Sequence, residues 1–111
     1  MNHEKLEVYK QLISLAEGIA RKIAKWPRGY GYLADQLRRA FASVILTMAE
    51  GNSKRSSYAE RHRFFEMSLG SLAEVGACLD LACAFGLASR VETESIKSRL
   101  KLSYAMIRAL P

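Results

Sequence analysis

The chain has 111 residues, half of them hydrophobic and a quarter charged, with a net charge of +6 and a pI near 9.6. That length supports one compact domain, residues 1–111, and argues against two. Two prolines, seven glycines and no Ser/Gly tract leave little material for strands, hairpins or linkers, so a chain rich in good helix formers is expected to be all-α.

The basic balance points to an acidic partner: nucleic acid first, an anionic membrane surface second and an acidic protein third. Its distribution is uneven. Segments 1–31, 51–63 and 90–111 each carry +3, segment 32–50 is neutral and segment 64–89 carries −3. Cys78 and Cys83 are five residues apart, which fits neither a redox nor a zinc spacing, and free buried thiols are expected. The N-terminus MNHEKLEVYK has no apolar h-region. The longest apolar run, Val75 to Ala88, is interrupted by Asp80 and falls short of the ~20 residues that span a bilayer. A cytoplasmic protein with no membrane partner is expected.

The first predicted helix covers about Glu4 to Lys25, with Leu6, Tyr9, Leu12, Ile13, Ala16, Ile19, Ala20 and Ile23 as its apolar stripe. Trp26-Pro27 ends it, because the residue before a proline is pushed out of the α region, and Gly29-Tyr30-Gly31 makes a turn. The second predicted helix covers about Tyr32 to Glu50. Leu33, Leu37, Ala40, Phe41, Val44 and Met48 form its apolar stripe, and Gln36, Arg39, Ser43, Thr47 and Glu50 a polar one beside it. Gly51 is read as its stop, followed by a basic loop, Asn52 to Ser56.

Ser57-Tyr58-Ala59-Glu60 has capping-box spacing and should open a third helix running to about Phe85, with Gly86 as its stop. Met67, Gly70, Ser71, Glu74, Cys78, Leu81 and Phe85 share one face of it, and Leu69, Leu72, Val75, Leu79 and Ala82 cover much of the next. A helix apolar nearly all round must be covered on nearly all sides, and self-association is the simplest cover. Ser89-Arg90-Val91-Glu92 repeats the capping-box spacing and opens a fourth helix to about Leu110, which should bury Ile96, Leu100, Tyr104 and Ile107. Four amphipathic helices on short connections predict an antiparallel up-down-up-down four-helix bundle.

Two constellations stand out. Glu74 lies on a largely apolar face and needs a partner to remain ionised; Arg39 is its candidate, with Gln36 and Ser43 as hydrogen-bonding neighbours. Such a set would either fix helix register or line a ligand pocket. The second is basic: Lys54, Arg55, Arg61 and Arg63, interleaved with Tyr58 and His62, and a further group of Arg21, Lys22, Lys25 and Arg28. Their placement in a loop and at helix ends suits phosphate contacts rather than base readout, with solvated surface charge as the plain alternative.

Nothing points to catalysis. His3 and His62 are the only histidines, neither has a glutamate three residues before it, and no HExxH occurs, so neither metal nor cofactor is expected.

The motifs L-x-x-Q-L-R-R-A-x-x-S-V from Leu33 to Val44, A-E-G at Ala49 to Gly51 and G-S-L-x-E at Gly70 to Glu74, with the opening LEVYKQLISLA, resemble the 23S ribosomal RNA intervening-sequence proteins. The resemblance covers almost the whole chain. It implies a left-handed up-down bundle assembling as a ring-like homopentamer. It also implies a kinship with the accessory variability-determinant proteins of diversity-generating retroelements, basic pentamers that bind a reverse transcriptase and nucleic acid. Gln36, Arg39, Ala40, Ser43, Ala49, Glu50, Gly51, Gly70, Ser71 and Glu74 match the pattern, whereas Thr47 stands where an asparagine is usual.

The expected function is therefore that of a non-enzymatic, homo-oligomeric accessory protein holding an RNA or DNA backbone, with a reverse transcriptase as a further partner. A scaffold that binds protein alone is the alternative.

Overall fold

A computed structural model describes residues 2–111 as a short 3-10 turn, Asn2–Lys5, and four α-helices: α1 (Glu7–Ile23), α2 (Gly31–Ser53), α3 (Tyr58–Ala84) and α4 (Arg90–Arg108). Among the described residues there is no strand. Each helix packs on its chain neighbours, and α1 also packs on α4, so the four close into a bundle with α2 and α3 as its most extensive pair. Cross-helix bonds fix the directions. Ser68 Oγ donates to the Val44 carbonyl at 2.7 Å while Gln36 donates to Glu74, so α2 and α3 run antiparallel; Lys22, at the end of α1, pairs with Glu92, at the start of α4. The result is the expected up-down-up-down four-helix bundle, a rod of 46 × 23 × 20 Å.

The core is one continuous cluster in which Leu12, Leu37, Val44, Met48 and Val75 are fully enclosed. On α2 the buried residues are the predicted stripe, with Ala34, Gly51 and Asn52 added. On α1 they are Val8, Leu12, Leu15, Ile19 and Ile23, whereas Ile13 and Ala20, read as core, are exposed. On α4 Tyr104 is not buried; the stripe is Thr93, Ile96, Leu100, Ser103 and Ile107 at alternating three- and four-residue steps. Tyr104, one residue and about 100° on from Ser103, lies over the groove between α3 and α4.

Helix ends follow local chemistry. Ser89 and Glu92 complete a capping box at α4. Ser57 accepts from the Glu60 amide at 3.2 Å and starts α3, but the returning half of that box is missing: the Glu60 carboxylate lies 3.8 Å from Lys54. Gly86, at φ +78°, ends α3 with Leu87 N–H donating to the Ala82 carbonyl and Gly86 N–H to the Cys83 carbonyl, the Schellman pattern.

Gly51 is a correction. It does not stop α2, which continues to Ser53. Gly51 is buried, and a Cβ there would meet the Phe65 ring at 2.7 Å and the Arg61 carbonyl at 3.0 Å. Its role is to let α3 pass close to α2. The first helix is also shorter than expected, because residues 2–5 form a separate 3-10 turn.

By length and composition alone α3 is apolar enough to cross a membrane. Phe65, Ser68, Leu69, Leu72, Val75, Cys78, Leu79 and Ala82 on it are nonetheless buried within the bundle.

Candidate nucleic-acid interface

The first basic group sits where α2 ends and α3 begins, and its members are not equivalent. Lys54 is held by Glu50 at 3.0 Å, with Glu60 at 3.8 Å; the hydrogen bond and charge of Glu50 hold its ammonium above the ordinary lysine range. Arg61 is committed to backbone: its Nε donates to the Pro111 carbonyl at 3.1 Å, its Nη2 to the same oxygen and its Nη1 to the Asn52 carbonyl at 3.4 Å, with Phe65 beneath its guanidinium at 5.5 Å. Arg55 meets only a neutral group, donating at 2.6 and 3.2 Å to Asn2 once that amide is turned to present its oxygen. Arg63 rests over Phe64 at 4.7 Å, exposed and with no carboxylate partner among the described residues. Between them, exposed Tyr58 stacks on His62 with ring centroids 4.0 Å apart.

The second group lies along the last turns of α1 and the turn after it. Lys22 is paired with Glu92, and that bond, with the Ser89 contacts, holds the Glu92 carboxyl below its ordinary range. Arg21 and Lys25 are exposed, and their side chains have no hydrogen bond or ion pair among the described residues. The sequence pattern thus located two basic regions. It did not show which cations are already taken.

The polar set between α2 and α3 is likewise rearranged. The Glu74 carboxylate accepts from Gln36, Ser43 bonds Ser71 between hydroxyls at 2.7 Å, and Thr47 Oγ1 turns back to the Ser43 carbonyl at 2.5 Å. The expected Arg39–Glu74 pair does not form. The Gln36 amide occupies the carboxylate, and Arg39, exposed and hydrated, gains little from a surface pair. Glu74 is itself exposed, so its charge needs no buried counterion. Arg38 pairs with Asp35 at 3.0 Å on the outside of α2.

Apart from Thr47, these positions fall within the Leu33–Val44 and Gly70–Glu74 motifs, and a family model for the 23S rRNA-intervening sequence protein matches residues 4–109. The chain belongs to that family. No curated protein matches it. In this member of the 23S rRNA-intervening sequence proteins, the polar residues Gln36, Ser43, Ser71 and Glu74 stitch α2 to α3.

Sequence reasoning missed one feature. At the end of the bundle formed by the α1–α2 and α3–α4 turns, a cleft of about 410 Å³ is lined by Trp26, Tyr30 and Phe85 together with Lys22, Lys25 and Glu92. The available signal was three aromatic residues placed at turn-making residues, Trp26 beside Pro27, Tyr30 between Gly29 and Gly31, and Phe85 beside Gly86, which the fold brings together. Among the described residues no three His, Cys, Asp or Glu side chains gather as a metal set.

Proposed function

We propose that this protein is a non-enzymatic, self-associating accessory protein that holds the phosphate backbone of RNA or DNA on its basic outer surface. The observation that carries this reading is that the two basic groups hold cations left uncommitted, among them Arg21, Lys25 and Arg63, exposed without a carboxylate partner among the described residues, and Arg55, which bonds only an amide. Exposed guanidinium and ammonium groups of this kind suit backbone contacts, which need charge and reach rather than a fixed recognition helix. Membership in a family named for a 23S rRNA insertion supports RNA as the polymer. The homopentameric ring implied by the resemblance would array these cations around a common axis. In the retroelement setting the same resemblance implies, the protein partner is a reverse transcriptase.

Titration of binding to a generic single-stranded RNA against salt tests the reading. Four phosphate contacts per protomer give a slope of log affinity on log salt of about −3, at ~0.7 for each contact. Joint reversal of Arg21, Lys25, Arg55 and Arg63 to glutamate should remove that binding and leave the helical content unchanged. Absence of wild-type binding at low salt would overturn the proposal in favour of a scaffold binding protein alone. That second reading has its own support, since Met67 and Leu81 leave apolar side chains of α3 half in solvent.

A further inference from the structure

The aromatic cleft at the end of the bundle has a composition that the outer cations lack. Its three rings come from three places, Trp26 from the turn after α1, Tyr30 from the N-cap of α2 and Phe85 from the C-cap of α3. Tyr30 and Phe85 are tilted neighbours at 6.1 Å. At about 410 Å³ the cleft falls within the ~300–1,000 Å³ range of small-molecule sites.

Its charges are arranged for an anion. Glu92 is engaged by Lys22 and by the Ser89 cap, so the one carboxylate in the lining is spent locally. Lys25 is left without a partner among the described residues, on the same rim. Beside it α2 begins at Tyr30 with no side-chain cap and no acidic residue in its first turn, so the positive end of the helix dipole is not neutralised there.

We propose that this cleft is a nucleotide site, with a base against Trp26, Tyr30 and Phe85 and a phosphate at Lys25. The inference rests on the nucleic-acid reading and deepens it. Backbone contacts alone do not need aromatic surface, whereas aromatic stacking beside a cation takes unpaired bases of any sequence. A duplex hides its base faces, so the ligand is a free nucleotide or the unpaired end of a strand.

Trp26 is the only tryptophan in the chain and reports directly on the cleft. Its fluorescence should be followed during titration with adenosine monophosphate, with a 5′-phosphorylated single-stranded oligonucleotide and with a blunt duplex. Saturable quenching by the mononucleotide assigns the site to free nucleotides; quenching by the single strand alone assigns it to strand ends. In either case Phe85→Ala and Lys25→Glu should each weaken binding on the order of tenfold with the circular dichroism unchanged. No quenching by any ligand, equal quenching by the duplex, or an unaltered response in both variants would overturn the site. Salt-dependent RNA binding that persists while Trp26 stays silent would locate the failure in the cleft and not in the basic surface.

Discussion

A methyl group at position 51 has no space to occupy. Its Cβ would lie 2.7 Å from the Phe65 ring and 3.0 Å from the Arg61 carbonyl, and the carbonyl belongs to helical backbone that cannot step aside cheaply. Gly51→Ala gains about 1 kcal/mol of helix propensity but forces overpacking of about 1–3 kcal/mol, so a net loss of about 1 kcal/mol is expected. Gly18 is the control, because its Cβ would find only the end of the Arg21 side chain, at 4.0 Å. Gly18→Ala should stabilise by about 0.5–1 kcal/mol. Urea midpoints compare the two, and a Gly51→Ala protein as stable as Gly18→Ala would show that Phe65 moves freely. The sequence marks Gly51 as special without saying why, since a helix stop and a close approach both ask for glycine. The same limit explains Arg39: opposite charges on neighbouring helices invite pairing, but whether a shorter amide reaches the carboxylate first depends on register that only the packed helices define.

At the scale of elements, α4 begins with a side chain that serves two ends of the fold. Glu92 returns a bond to the Ser89 amide and also pairs with Lys22 of α1. Lys22 contributes most to holding its carboxyl below the ordinary 4.5, followed by the Ser89 bonds. A carboxyl lowered on folding stabilises fully above its unfolded value, and that contribution fades as pH falls through the folded one. Glu92→Gln should therefore lower the urea midpoint at pH 7, and the gap to wild type should be smaller at an acidic pH below the ordinary 4.5. An equal gap at both pH values would mean that the carboxylate charge is irrelevant. The capping spacing at Ser89 and the Trp26-Pro27 stop were legible because they depend on residues within one turn. The α1 stripe was legible only in part: Ile13 and Ala20 are apolar yet face outward while Val8 and Leu15 are buried, and only the neighbouring helices choose between the two sides.

For the whole molecule, the surplus of apolar surface on α3 is decisive. Its neighbours α2 and α4 close around one side of it, yet Met67 and Leu81 remain 45 and 47% exposed, on the face that also carries Gly70 and Glu74. The sequence pattern identified the surplus but not the face that carries it, because a helix apolar nearly all round has more to bury than three partners can cover, and only the packing says which side stays open. Half-exposed apolar side chains at Met67 and Leu81, on either side of Glu74, in a protein of 12.4 kDa fit a subunit contact, with each worth about 1 kcal/mol when covered. Gly70, with nothing within 4 Å of its Cβ position, leaves room for another helix to approach closely. Met67→Lys together with Leu81→Lys places two cations in that contact and leaves the fully buried residues untouched. Sedimentation velocity should show wild type at several times the protomer mass and the double variant at the protomer mass, with equal helical content. A wild-type monomer at micromolar concentration, or a double variant that still assembles, would remove this face from the assembly. Because the double variant keeps Arg21, Lys25, Arg55 and Arg63, its RNA affinity also measures what assembly adds. A ring that binds through several protomers at once should lose on the order of a hundredfold when reduced to monomers.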